Sequence, residues 1–283
     1  MKIGTVESVW RYPVKGMAGE RLERCGFDRD GLKGDRIWAV QDVERREIQS
    51  CKFRPQLLQC RAHTRGNGES RYIEIQFPDG QVLRCDDPEA STKVSVLVGH
   101  DSQLRTLRPK ADADFYRRYK RDNHTWLDEL KATFEREESE PLPDLDNLPE
   151  SVQEFVSLQG TFYLASTFHV LTTASLDHMK QLHPQSDWHI ERFRPNLMID
   201  TLPGIEGLAE QAWVGETLQI GELVFNCSDP APRCGAVTRK QNRLKVDTSL
   251  LRSIVRQADQ NLGIYGNILN AGIINAGDEV RLL

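Results

Sequence analysis

Of the six cysteines in the 283 residues, at Cys25, Cys51, Cys60, Cys85, Cys227 and Cys234, the last is set up differently from the others. Cys234 follows Asp229-Pro230-Ala231-Pro232-Arg233, a stiff approach that holds it at a strand edge or loop beside a guanidinium. A neighbouring arginine favours the thiolate, the form that ligates soft metals or attacks an electrophile. Free cysteine is also among the most buried residue types, so on local sequence alone a structural thiol is the commoner reading. Cys227, behind the apolar run Leu223-Val224-Phe225, reads as structural. No C-x-x-C pair occurs, which removes zinc ribbons and thioredoxin-like dithiols, and the C-x4-C-x2-C spacing of a plant-type iron–sulfur site is absent.

A second group pairs cations with glycine or proline: Lys15-Gly16, Lys33-Gly34-Asp35-Arg36 and Arg192-Phe193-Arg194-Pro195-Asn196. Backbone amides of glycine turns together with Lys or Arg suit a phosphate. Neither a Walker A loop nor G-x-G-x-x-G accompanies them, and each cluster taken singly is ordinary turn chemistry with a surface charge. His178, His183 and His189 lack ligand spacing with nearby carboxylates and read as structural or exposed. The basic stripe from Arg105 to Arg121 reads as the solvated face of one amphipathic helix, balanced by the acidic run Glu135 to Glu140.

The elements that must position these residues are mainly strands. Ile3, Val6 and Val9 form a loose apolar run ending at Pro13, and Arg36 to Val40 reads as a strand. Ile73 to Phe77 alternates with period two, and Pro78-Asp79-Gly80 turns it into Gln81-Val82-Leu83. Val94, Val96 and Val98 alternate again, which predicts a strand before Gly99. Phe115, Tyr116, Tyr119, Trp126, Leu127, Leu130 and Phe134 recur near helical period, and Pro141 to Pro149 reads as an irregular connector. In the second half, helices are expected from Thr172 to about His183, and after Asp247 with Leu250, Leu251, Ile254, Val255 and Ala258 on one face. Strands are expected at Leu197–Ile199, Glu216–Ile220, Leu223–Asn226 and Glu279–Leu283.

With 37 basic against 42 acidic residues, a net charge of −5 argues against a generally basic nucleic-acid binder. No apolar stretch of about 18 residues is present to span a membrane, and Met1 to Gly16 lacks a secretory h-region. A cytoplasmic protein with reduced thiols, no membrane partner and no nucleic-acid partner is expected.

Together these segments resemble a MOSC domain protein preceded by the N-terminal MOSC β-barrel domain. Tyr12-Pro13-Val14-Lys15-Gly16 resembles the start of that first domain, and Gly31 to Val40 its G-L-x-x-D-R-x-W-x-V segment. Leu171 to Leu176 and Arg192 to Asn196 are similar to the MOSC helix start and F-R-P-N segment, and Arg233-Cys234 with Thr238 to an R-C-x-x-x-T site. Leu262-Gly263-Ile264-Tyr265 and Gly277-Asp278-Glu279-Val280 resemble its closing strands. The resemblance implies an α+β, mainly β chain with two barrel-like domains: residues 1–110 the N-terminal β-barrel, 111–150 a helical connector outside the resemblance, and 151–283 the MOSC domain.

It further implies a molybdenum cofactor, with Cys234 as metal ligand and catalytic residue. Lys15, Arg36 and Arg194 would hold the pterin phosphate. Gly16 (through its backbone N–H), Ser166, Thr167, Asn196, Arg233 and Tyr265 would line the cofactor. Leu164 stands where the family often has an acidic residue. The implied activity is reduction of small N-oxygenated molecules such as hydroxylamines, amidoximes or N-hydroxylated bases. Electrons would come from a separate ferredoxin-like or flavin reductase, because no iron–sulfur, haem or dinucleotide motif is present. The alternative is a non-catalytic carrier of the molybdenum cofactor or of sulfur. Pyridoxal phosphate enters only as a label of the wider family, since the two domains leave no room in this length for a domain to bind it.

Overall fold

The computed structural model describes residues 1–120 and 125–283. Its first strand, β1 (Lys2–Arg11), is followed by β2 (Glu20–Leu22), β3 (Arg24–Asp28), β4 (Gly31–Leu32) and β5 (Trp38–Asp42). The hairpin strands β6 (Arg61–Arg65), β7 (Tyr72–Gln76) and β8 (Val82–Arg84) come next, then helix α1 (Pro88–Val98) and β9 (Ser102–Thr106). After α2 (Thr125–Ala132) and α3 (Glu150–Glu154), the second half runs β10 (His169–Thr172), α4 (Thr173–Leu182), β11 (Leu197–Thr201), β12 (Thr217–Ile220) and β13 (Leu223–Pro232). It finishes with α5 (Ser249–Gln257), β14 (Asn261–Asn270), β15 (Gly272–Asn275) and β16 (Glu279–Leu282).

The fold is α+β, mostly strands, around a closed seven-strand barrel. The order β11-β10-β14-β13-β12-β16-β1 returns to β11 because β1 pairs with both β16 and β11. The chain's first strand therefore closes the barrel built by its second half. This resolves the loose spacing of Ile3, Val6 and Val9. Three-residue steps cannot share one face of a regular strand, but the register of β1 shifts twice, between Lys2 and Gly4 against β16 and between Val6 and Ser8 against β11, as bulges require. All three then reach the core with Val170, Leu197, Ile199, Leu218, Phe225, Ile264 and Val280, and each such side chain contributes about 1.5–3 kcal/mol by burial. Of the other N-terminal strands, β2 extends the barrel sheet beside β1 and β3 pairs with both β4 and β15, while a β5–β9 pair and a β6-β7-β8 sheet pack with α1 over a second core of Val14, Val40, Leu57, Ile75 and Val94.

The period-two strand expected at Val94–Val98 is instead the end of α1. Asp87 caps it by accepting from Glu89 N–H at 2.9 Å, Pro88 occupies its first turn, and Gly99 closes it in the left-handed region at φ 82°. Ala90, Val94 and Val98, four residues apart, face the core, while Val96 is exposed. The local end signals outweigh the alternation.

The basic stripe is also reassigned. Arg105 lies in β9, Ala113–Tyr116 is a single 3-10 turn, and α2 is described over Thr125–Ala132; Arg121 lies outside the described residues. Arg118 is buried, stacked 4.4 Å from the Trp126 ring centre and donating to Val152 O at 3.0 Å, so no common solvated helix face exists. The expected helices of the second half form as α4 and α5. Thr172 accepts from Ser175 N–H at 3.1 Å at one start, and Asp247 from Ser249 N–H at 3.1 Å at the other.

Candidate functional site

Where β1 leaves the barrel, Tyr12 to Met17 turns beneath the loop that enters β5. Lys15 N–H donates to Trp38 O and Arg36 N–H to Tyr12 O, which locks the two cation-bearing segments together. Gly16 sits at φ +84°, and a Cβ there would come within 3.1 Å of Cys51 N, so the turn calls for glycine at this position. Arg36 (φ 48°) and Arg194 (φ 56°) also take left-handed backbone without being glycine, a cost the surrounding contacts must offset.

Asp35 holds this assembly. Its carboxylate is buried and accepts from Tyr12 N–H at 2.6 Å, Tyr163 OH at 3.0 Å and Asn196 Nδ2 at 2.9 Å, and it pairs with Arg36. Tyr12 stands between two guanidiniums, Arg194 at 4.3 Å and Arg36 at 5.3 Å from its ring centre, and its hydroxyl donates to Pro195 O. Arg36 also stacks on Tyr163 at 4.9 Å. Lys15 Nζ donates to Phe162 O at 2.8 Å and Arg194 to Met17 O.

The charges are strained. Burial lowers Lys15 from its ordinary 10.5 to about 7, and the positive charge of Arg36 pushes in the same direction. Burial likewise lowers Arg194 and Arg233. Cations driven toward releasing protons in the folded state mark a place that would gain from an anion.

Cys234 lies just beyond β13, at the head of a 3-10 turn, Gly235–Thr238, in which Thr238 Oγ1 donates to Gly235 O at 2.8 Å. Arg233 beside it is buried and aims its guanidinium at Leu262 O, Phe193 O and His169 Nε2. Because Nε2 accepts from that arginine, the His169 proton sits on Nδ1, which faces Arg194 O at 3.3 Å. Burial, then the Arg233 charge, keep His169 well below its usual range and so neutral. Gly263 (φ +86°) has no room for a Cβ against His169, and Tyr265 meets the His169 ring edge-on at 5.8 Å.

Lys15, Arg36, Arg194, Asn196, Arg233 and Tyr265 are thus linked through Asp35, Tyr12, Trp38 and His169, while Gly16 and Cys234 join them as the chain neighbours of Lys15 and Arg233 and through Cys51, from segments more than two hundred residues apart in sequence. Ser166 and Thr167 are engaged otherwise. Ser166 Oγ donates to Phe168 O and Gly266 O, stapling β10 to β14, and Thr167 packs its carbonyl against Gly31. Sequence reasoning passed over Asp35, Tyr12, Tyr163, His169 and Cys51. Asp35 and Tyr12 stood inside the quoted motifs, beside the cations they hold. His169 and Cys51 carry no local signal, and only the fold sets Cys51 against Gly16 and within the fields of Arg194 and Cys234. Among the described residues no group of three or more His, Cys, Asp or Glu forms a metal cage, so a metal here would rely on Cys234 and a ligand of its own. No described helix is long and apolar enough to cross a membrane.

Residues 3–119 match the MOSC N-terminal beta barrel domain, and residues 158–281 match the MOSC domain. A molybdenum cofactor sulfurase from Drosophila grimshawi is 21% identical over 268 residues, covering 90% of this chain but 31% of its own length, so the chain spans about a third of that relative. Among solved structures, the YUAD protein from Bacillus subtilis aligns over 98% of this chain and 94% of its own, at 11% identity and a TM-score of 0.42. YiiM from Geobacillus stearothermophilus covers 42% of this chain and 54% of its own, at 16% identity and a TM-score of 0.32.

Proposed function

Because the chain belongs to the MOSC domain proteins, with the MOSC N-terminal beta barrel domain ahead of the MOSC domain, we propose that it binds a molybdenum cofactor at Cys234 and reduces small N-oxygenated substrates. The observation that carries this reading is the meeting of buried Lys15 and Arg194, each lowered by burial and in no ion pair with a carboxylate among the described residues, with Cys234 around Cys51, which feels the fields of all three. The donor set fits the group: three cations for a phosphate, a thiolate sulfur for a soft metal, and a neutral imidazole backing Arg233.

In this mechanism Lys15 and Arg194 would hold the phosphate, and Lys15, lowered to about 7 by burial, would regain its full charge beside the anion. Asp35 orients Arg36 and Asn196, and Tyr12 keeps the two guanidiniums apart. Arg233, fixed by the carbonyls of Leu262 and Phe193 and by His169, would anchor the backbone that presents Cys234 to the metal. When bound, the cofactor supplies two-electron oxygen-abstraction chemistry, and the protein contributes position and charge. Electrons come from a separate donor protein of ferredoxin-like or flavin type.

Metal analysis of the purified chain beside its Cys234→Ala variant tests the binding. Roughly one molybdenum per chain, lost in the variant with folding intact, is expected. No molybdenum, from a host that makes the cofactor, overturns the reading. Similarity to a molybdenum cofactor sulfurase favours a second reading, a carrier that passes on the cofactor or sulfur. A chain that holds molybdenum yet reduces no hydroxylamine or amidoxime with a strong artificial electron donor supports the carrier.

A further inference from the structure

Neither domain match reaches residues 120–157, and between Trp126 and Leu148 that stretch forms a cluster with Cys234 packed against it. Trp126, Leu130, Phe134 and Leu145 form a small apolar cluster of their own, with the side chain of Cys234 packed on it. The docking is intimate at the backbone: Gly235 N–H donates to Thr133 O at 2.8 Å. Arg136 Nη2 donates to Arg233 O at 2.9 Å and to Gln260 Oε1 at 3.3 Å. The Glu135 carboxyl fills the space that a Cβ on Gly235 would need, so the small residue after Cys234 is where the segment lands.

Its outer fastening is of another kind. Glu135 pairs with Arg239, and Glu140 pairs with Arg252. Glu137 lies 3.0 Å from Arg256 and 3.7 Å from Arg252. The acidic run is thus bound to arginines on and before α5, not to the basic stripe that precedes it in sequence. Several of these partners are half exposed: Arg256 at 60%, Glu137 at 58% and Arg239 at 44%. Ion pairs in water are weak and are screened by salt. Glu140 Oε1 meanwhile has no hydrogen-bond partner although it is buried, so the clasp is imperfectly satisfied when shut. On its far side α2 borders a cleft of about 180 Å³, whose lining includes Phe53, Arg118 and Trp126. Trp126 belongs both to that cleft and to the cluster on which the part-exposed Cys234 packs.

We infer that residues 125–149 are a lid over Cys234, shut by the Glu135, Glu137 and Glu140 clasp on Arg239, Arg252 and Arg256, and that its opening admits small molecules to the sulfur. The lid's purpose rests on Cys234 being the reactive sulfur of the proposed function. Its motion does not, and the test reads motion alone.

Amide hydrogen exchange on the full chain as purified, followed by mass spectrometry, reports whether the Gly235 amide leaves Thr133 O. Raising salt from about 0.01 to about 1 M shortens the screening length from about 30 to about 3 Å. The peptide holding Gly235 and those from 125–149 then exchange on the order of tenfold faster, while the β6–β7 pair is unchanged. Arg252→Gln accelerates the same peptides a few-fold at low salt and reduces the salt response, the pairs of Arg239 and Arg256 keeping the rest, and Arg252→Lys restores part of the protection. Two results overturn the lid: exchange at Gly235 that ignores both salt and Arg252→Gln, or exchange that rises only together with β6–β7, which is global unfolding. If the variant fails to fold, the salt series on the unaltered chain decides. A rigid strap with molybdenum bound defeats the lid alone, and a moving strap without molybdenum defeats the metal reading alone.

Discussion

Cys234 has two neighbours built on opposite principles. On one side the cradle of Lys15, Arg36, Arg194 and Arg233 is fixed from within: its donors end on Phe162 O, Met17 O, Phe193 O, Leu262 O and the shared Asp35 carboxylate. On the other side the strap of residues 125–149 is held at its rim by carboxylate–arginine pairs that water and salt reach. A charge that loses its partner in the cradle has no solvent to turn to, whereas a strap partner that is lost is replaced by water. The same chemical contact, a guanidinium on a carboxylate, therefore carries different weight a few residues apart.

The cradle should break first and hardest. Asp35→Ala removes the acceptor shared by Tyr12 N–H, Tyr163, Asn196 and Arg36. Unpairing a buried ion pair costs about 3–5 kcal/mol, so denaturant unfolding should show a loss of that size. A loss below about 1 kcal/mol, the level of an exposed pair, would put the cradle on the strap's footing and end the contrast.

Lys15 gives the next effect, through pH. Facing it are Arg36, Lys52 and Arg118, which push its proton off, and Cys51, whose thiolate form would hold it. An unfolded chain keeps this proton up to the ordinary 10.5, and the folded chain gives it up near 7. Between those values the unfolded state binds more protons, so this group's contribution to stability rises with pH. Anion binding runs the other way. A phosphate needs the charged amine, so each pH unit above about 7 weakens its binding by up to tenfold, about 1.4 kcal/mol, until the bound-state value is reached. Calorimetry with inorganic phosphate in two buffers of different ionisation enthalpy should show proton uptake at pH 8, and Lys15→Met should show none. Equal uptake in the variant would move the titration to another group.

How far these two regions were legible in the sequence follows from what each is made of. The cradle's cations stood out because glycine and proline flank them, and their types pointed to an anion before any fold was known. Asp35 did not stand out as the hub, since its four partners come from three distant segments and their meeting depends on β1 closing the barrel beside β11. The strap was legible as a change in composition but not as a contact. An acidic run followed by prolines looks the same whether water or Arg252 faces it. His169 is the extreme case: nothing within several residues distinguishes it, and its role rests on Arg233, sixty-four residues away. Local periodicity misled at the basic stripe, and at Val94 to Val98, where valines at every second position also fit the helix that Asp87, Pro88 and Gly99 delimit.

On the strap side, Arg252→Gln should cost about 0.5–1 kcal/mol, because its guanidinium is 20% exposed and spread over Glu137 and Glu140. Urea unfolding measures this directly. A cost of 3 kcal/mol or more, the range of a buried pair, would mean that the clasp is part of the core.

The smallest expected effect separates the two regions most cleanly. In Gly235→Ala the new methyl meets only the carboxyl end of Glu135, the far end of a flexible side chain, and Gly235 is not among the positive-φ residues. Glu135 can swing away and release Arg239, a partly exposed pair worth a few tenths of a kcal/mol. Against that, replacing glycine where the backbone tolerates alanine stabilises by about 0.4–1 kcal/mol through the unfolded chain. The two nearly cancel, so the melting temperature should stay within about 2–3 °C of the parent's. Exchange of the 125–149 amides should nonetheless quicken several-fold, because the landing place of the strap has been filled. A variant that keeps its stability while its strap loosens would show that closure over Cys234 and folding of the barrel are separate equilibria. A fall of more than about 2 kcal/mol, at the upper end of ordinary single-residue effects, would instead mean that the strap is bound to Cys234 as firmly as Asp35 is to its donors.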